Sequence, residues 1–138
     1  MRKIPTFEEQ VCAWLDDCLK NEIPTDVRAF AFGINERELC FVIELNGTSE
    51  FNHNCSSWTW SEFWHPSNPK LCVPTTVSCG QRKRCSMRLK VAIMDYIKSG
   101  IYAQRLTNRE GIAIETLDEG FELISYTSLA PRRRIFNQ

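Results

Sequence analysis

Between residues 7 and 45 the apolar side chains change period, from one every three or four residues to one every two. That switch sets the class of fold open to this chain. Phe7, Val11, Trp14, Leu15, Cys18 and Leu19 fall at i, i+4, i+7, i+8, i+11 and i+12, one stripe of a helix. Thr6 followed by Glu9 is a capping-box pattern, in which each side chain satisfies a free backbone N–H of the first turn. Glu8, Asp16, Asp17 and Lys20 take the opposite face, and Pro24 blocks continuation. Val27–Phe32 then alternates, with Phe30 and Phe32 on one side of the pleat. In the next run Leu39, Phe41, Ile43 and Leu45 share one face opposite Cys40, Val42 and Glu44. The Gly33-Ile34-Asn35-Glu36-Arg37 link is short enough for a hairpin, and Asn46-Gly47 is a turn signal.

Further on, 57–63 reads as a short strand or irregular segment. Residues 65–85 read as a long loop carrying Pro66, Pro69 and Pro74, with room for a strand near Leu71–Val73. Leu89, Ile93, Tyr96 and Ile97 define a second helix, with Ser86 as its cap and Gly100 in the position favoured after a helix end. Ile112–Leu117 and Phe121–Tyr126 form a last hairpin around Asp118-Glu119-Gly120, and 131–138 reads as a flexible tail. The expected architecture is a single α+β domain over residues 1–138, with two helices on a mostly antiparallel sheet of about five strands. A chain of 138 residues can bury such a core without disulfide or metal.

Several chemistries lack their residues. There is no phosphate-cradling glycine loop, no Cys-x-x-Cys and no His-Glu-x-x-His, and the histidines number two, His53 and His65. The expectation is a non-enzyme without a cofactor. No stretch approaches the roughly 18–20 consecutive apolar residues of a membrane span. The start of the chain turns acidic at Glu8-Glu9 before an apolar run develops, so no signal peptide is read there. With seven cysteines, an odd number, reduced thiols and a cytoplasmic address are expected.

Three local constellations set a bland reading against a functional one. Cys72, Cys79 and Cys85, with His53, Cys55 and His65, supply enough ligands for zinc. Their spacing does not match the tight pairs of structural zinc sites, so no metal site is assigned. Cys85, preceded by Arg82-Lys83-Arg84, has the setting that best favours a thiolate nucleophile. The basic runs Arg82-Lys83-Arg84 and Arg132-Arg133-Arg134 could touch phosphate, yet no RNP-like strand or recognition helix accompanies them, and three charges in a loop or tail are more often simply solvated.

The tryptophan cluster is the most unusual local feature: Trp58, Trp60, Phe63 and Trp64 lie within seven residues. Strand alternation would turn Trp58 and Trp60 the same way, which favours burial of both. Trp58 is assigned to the core, whereas Trp60 and Trp64 fit the core or a partner interface equally well. The net charge of zero hides an asymmetry. Residues 1–69 hold 5 basic against 11 acidic side chains, and residues 70–138 hold 12 against 6. A polarised surface would steer a charged partner.

Ala29-Phe30-Ala31-Phe32-Gly33, then Cys40 through Thr48, then Phe51 and Trp58, form a pattern that resembles bacterial immunity proteins. These neutralise polymorphic toxins, including those of contact-dependent growth inhibition. Tyr96-Ile97-Lys98-Ser99-Gly100, Gly111-Ile112-Ala113-Ile114 and Phe121-Glu122-Leu123 continue it, so the resemblance spans residues 27–126. It implies a small, cytoplasmic, non-catalytic antitoxin that binds one cognate protein toxin, such as a nuclease, and blocks its active site. At His53-Asn54-Cys55-Ser56-Ser57 the chain departs from the acidic residues expected before the tryptophan, so no contact residue is carried over. Candidate partner-binding residues come instead from charge and aromatic clustering: Glu36, Glu38, Glu50, Trp60, Glu62 and Trp64. The alternative is a small zinc- or nucleic-acid-binding regulator using the 72–85 loop, and an enzyme built on Cys85 ranks behind both.

Overall fold

Helix α1, Phe7–Leu19, begins at the capping box read from the sequence. Glu9 N–H donates to Thr6 Oγ1 at 3.1 Å, and Thr6 N–H donates to Glu9 Oε1 at 2.9 Å. All six residues of its apolar stripe are buried. The computed structural model describes residues 5–75, 81–116 and 120–126. The expected 131–138 tail, Arg132–Arg134, Cys79 and most of the Asp118-Glu119-Gly120 turn lie outside them.

After α1 come β1 (Ala29–Glu36), β2 (Cys40–Thr48), a 3-10 helix (Ser57–Ser61), β3 (Glu62–Trp64) and β4 (Lys70–Pro74). Helices α2 (Arg82–Ser99) and α3 (Ala103–Thr107) follow, then β5 (Gly111–Thr116) and β6 (Gly120–Tyr126). The sheet runs β3-β2-β1-β5-β6, with β4 also paired to β2. Every pairing is antiparallel except β1 with β5. The fold is α+β with a mostly antiparallel sheet, as expected.

The sixth strand arises because one edge is broken. Both β3 and β4 pair with β2, at opposite ends of it, and Pro66 and Pro69 lie in the gap. Proline cannot donate to a ladder, which confines it to edges and breaks. The break is used: Asn68 C=O accepts Trp14 Nε1–H at 3.0 Å and Cys18 S–H at 3.4 Å from α1, while Leu45 N–H reaches Pro69 C=O at 2.9 Å.

Other bounds shift as well. Strand β1 runs on to Glu36, so Gly33-Ile34-Asn35-Glu36 belongs to the strand, and the turn is Arg37–Leu39. Leu39, expected on the core face, is 78% exposed in that turn. Helix α2 starts at Arg82, so Ser86 is not its cap. Gly100 has φ −70° rather than a left-handed φ. It is needed for space, since a Cβ there would lie 2.5 Å from the Tyr96 ring.

The sheet has two unlike faces. Phe30, Phe32, Ile34, Phe41, Ile43, Leu45, Ile112 and Ile114 form the core face beneath α1 and α2. Burying each such side chain contributes about 1.5–3 kcal/mol. On the other face Ala29, Ala31 and Ala113 leave room for Trp58, which Phe51 and Phe121 meet edge-on at 5.0 and 6.0 Å. Gly111 is the tightest point, because a Cβ there would sit 2.2 Å from Phe51 Cε1.

Helix α2 is tied to α1 by Tyr96 O–H donating to Asp16 Oδ1 at 2.8 Å and by a two-point Arg88–Glu8 pair. The Arg88 hydrogen bond, ahead of all other causes, lowers the Glu8 carboxyl below its usual range.

Two predictions follow from these contacts. Gly111→Ala should lower stability by about 2 kcal/mol in urea denaturation, and adding Phe51→Ala should recover part of that loss, because the two sites share one clash. Glu8→Gln should cost about 0.5 kcal/mol at neutral pH, since the pair is partly exposed. A lowered carboxyl stabilises fully above its unfolded value, about 4.3, and loses that contribution as pH falls through the folded value. The gap between variant and parent should therefore close in acid.

Candidate functional site

The segment between β2 and β3 folds back over the alanine face and closes on itself. Ser49 N–H donates to Ser61 C=O at 3.1 Å, Glu50 N–H to Ser61 Oγ at 3.1 Å, and Ser61 O–H to Trp58 C=O at 2.7 Å. Thr59 N–H donates to Ser56 C=O at 3.1 Å, and Thr59 Oγ1 lies 3.2 Å from Glu115 Oε2 on β5. The two local bonds, Thr59 to Ser56 and Ser61 to Trp58, wind 57–61 into a 3-10 turn instead of a strand.

The winding decides where the tryptophans go. In a strand, residues two apart share a face. At three residues per turn they are rotated by about two-thirds of a circle. Trp58 is 2% exposed against the alanines, whereas Trp60 is 82% exposed. The alternation argument for burying both therefore fails, because the segment is not a strand. Trp64, on β3, is half-buried edge-on against Phe30 at 6.3 Å, over Gly47. Alternation turns its neighbour Phe63 to the opposite face, where it is 50% exposed. Sequence reasoning passed over Phe63, although it lay inside the aromatic run.

The acidic candidates divide into two groups. Glu50 and Glu62 lie at the Thr48 end of β2, where Glu50 N–H meets Ser61 Oγ and Glu62 is the register partner of Thr48. Glu36 and Glu38 lie at its other end, near the Phe41 that pairs with Glu36. Seven residues of strand separate Phe41 from Thr48, roughly 24 Å. Glu36 also pairs with Arg82, Nη1 to Oε1 at 2.7 Å. Glu38, Glu50 and Glu62 are exposed and join no ion pair among the described residues. Backbone bonds from Ser49 and Glu50 to Ser61 bring Glu50 alongside the segment that carries the exposed Trp60, Glu62 and Phe63.

The charge asymmetry between the halves is partly absorbed within the fold. Arg88 meets Glu8, Arg82 meets Glu36, and Arg105 Nη1 donates to Leu19 C=O at 2.7 Å, satisfying the end of α1. Arg109 donates to the carbonyls of Val27, Ile23 and Pro24. Of the basic run, Lys83 and Arg84 stay exposed.

The cysteines of the rival readings are dispersed. Cys85 is fully buried in the first turn of α2, and burial pushes its thiol up to about 12, which suits a structural residue and not a nucleophile. Cys72 is exposed on β4, on the face away from Cys85's core. Among the described residues, no three His, Cys, Asp or Glu side chains are placed to hold a metal ion. His53 stacks on Tyr126 at 4.8 Å, and His65 Nδ1 lies 2.9 Å from Pro66 C=O. No described helix is long and apolar enough to cross a membrane.

The chain matches no family model, no curated protein and no solved structure. Its geometry therefore stands alone.

Hydrogen bonds from Ser57 lower the exposed Cys55 thiol, whereas burial lifts Cys18 and Cys85 to about 12. Alkylation of the native chain at neutral pH should therefore label Cys55 ahead of Cys18 and Cys85. Those two should react only once the protein is unfolded, as read by peptide mass mapping.

Proposed function

We propose that this chain is a non-catalytic binding protein of the cytoplasm that recognises a protein toxin and covers its active site. The observation that carries a binding role is the Trp60–Phe63 surface. The fold leaves Trp60 82% exposed and Phe63, three residues on, half-exposed, while it buries Trp58 two residues earlier. Exposed aromatics of this kind are the usual anchors of protein interfaces, since they bury large area at low entropic cost. Glu50 and Glu62 give the surface an acidic rim. Its natural complement is a basic cleft such as that of a nuclease, and matched charge would speed encounter and discourage wrong partners. The toxin as partner rests on the resemblance of residues 27–126 to immunity proteins.

The carboxylates at the far end of the sheet, Glu36 and Glu38, fall outside this surface, and Trp64 serves mainly to seat β3 on the core. The regulator reading has less to rest on. Cys72 and Cys85 point into different surroundings, and Arg82 of the basic run is engaged by Glu36.

Tagged protein captured from its source cells, with its gene neighbourhood intact, should bring down one protein in equal stoichiometry by native mass spectrometry. Trp60→Ala should weaken that complex by about 30-fold, the loss of one interface anchor. Reversing Glu50 and Glu62 to lysine should slow association and flatten its salt dependence, whereas reversing Glu38 should change neither. Unchanged affinity in both sets of variants, or capture of nucleic acid in place of a protein, would sink the proposal.

A further inference from the structure

Two thiols meet on the sheet face opposite α1 and α2. Alternation along β2 groups Cys40 with Val42 and Glu44, and along β4 it groups Cys72 with Lys70 and Pro74. The register sets Cys72 opposite Val42 and Cys40 opposite Pro74, so the cysteines are diagonal neighbours on adjacent strands. Their sulfur atoms are 2.8 Å apart, with Cys72 Sγ donating to Cys40 Sγ, although the residues are 32 positions apart in the chain. Cys72 is exposed and Cys40 half-buried.

The other described thiols are differently placed. Cys18 donates to Asn68 C=O, Cys55 lies against Ser57, Cys85 is enclosed in the core, and Cys12 is exposed on α1.

We propose that Cys40 and Cys72 form a reversible oxidation site, a dithiol that exchanges with low-molecular-weight disulfides of the glutathione class to give a bridge between β2 and β4. In the first step the Cys72 thiolate attacks one sulfur of oxidised glutathione. The glutathione S–S bond breaks, and one glutathione leaves as thiolate and takes up the proton that Cys72 released. In the second step the Cys40 thiolate attacks the Cys72 sulfur of the mixed disulfide, and the second glutathione leaves and is protonated in turn. Two protein thiols become one disulfide, and one glutathione disulfide becomes two thiols, so atoms and electrons balance.

The order follows from the surroundings. Cys72 is the more exposed sulfur and the one an incoming disulfide reaches first. Attack therefore starts at Cys72. The second step is intramolecular between sulfurs already adjacent, which need close only from 2.8 Å to about 2.05 Å. The bridge encloses the 3-10 helix, β3 and the proline break, and joins the edge strand β4 covalently to β2.

The test treats the full, reduced, folded chain with oxidised glutathione, quenches it in acid, alkylates it and maps peptides without reduction. The expected main product is a Cys40–Cys72 linked peptide two hydrogen atoms lighter than the reduced pair. It should come with a higher melting temperature that falls back on reduction. Cys40→Ser, a change on the open face, should stop the reaction at a glutathione adduct on Cys72. The proposal is overturned if the parent chain accumulates that same adduct without closing, if Cys72 bridges to another cysteine, or if neither thiol reacts.

Discussion

Strand β1 does two opposite jobs on alternate residues, and the rest of the molecule is arranged around that. Phe30, Phe32 and Ile34 point to the helices, while Ala29, Ala31 and Gly33 face the other way. The large side gives α1 and α2 a surface on which to bury Trp14, Leu15, Leu89 and Ile93. The small side keeps the opposite face low enough for the 3-10 segment to lie flat on the sheet with Trp58 beneath it. Enlarging those alanines would lift the segment, and with it the exposed Trp60–Phe63 surface. Core packing and the candidate interface thus share one strand. Its hydrogen bonds to β2 on one side and to β5 on the other hold both in register.

Arginine is the second organising element. The basic excess of residues 70–138 could have formed a positive face. Instead, much of it reaches across the fold to the acidic half and to carbonyls left without partners at segment ends. Arg109 collects three carbonyls around Pro24, Arg105 takes the end of α1, and Arg28 meets Glu110 through two hydrogen bonds where β1 and β5 begin. A planar guanidinium with several donors suits such convergent sites better than an ammonium does. Among the described residues, exposed charges of both signs stay outside the ion pairs, Lys83 and Arg84 as well as Glu38, Glu50 and Glu62.

The fold was more legible than the site. Helix α1 and its cap could be read residue by residue because both are local: a 3.6-residue stripe and a side-chain-to-backbone exchange three residues apart. The second hairpin strand was readable for Phe41, Ile43 and Leu45, whose alternation is equally local. Leu39 was misplaced because alternation does not say where a strand stops; the turn at Arg37–Leu39 does. Of the six candidate partner residues, Trp60, Glu50 and Glu62 come together. Glu36 and Glu38 do not, because β2 carries them to the far end of the sheet. Phe63 went unchosen because the same aromatic run offered four rings, and composition cannot say which of them the backbone turns outward.

The sequence by itself determined the periods and hence the class: a capped amphipathic helix, alternating strands and a second helix, packed as an α+β fold. Tertiary structure alone decided that the edge strand breaks at its prolines, that Trp58 is buried while Trp60 is exposed, and that Cys40 meets Cys72. The reason is physical. Periodicity is a property of neighbours along the chain, whereas these outcomes turn on strand register and on contacts between residues 32 to 86 positions apart. Such partners leave no repeat in the sequence, so only the folded chain brings them into view.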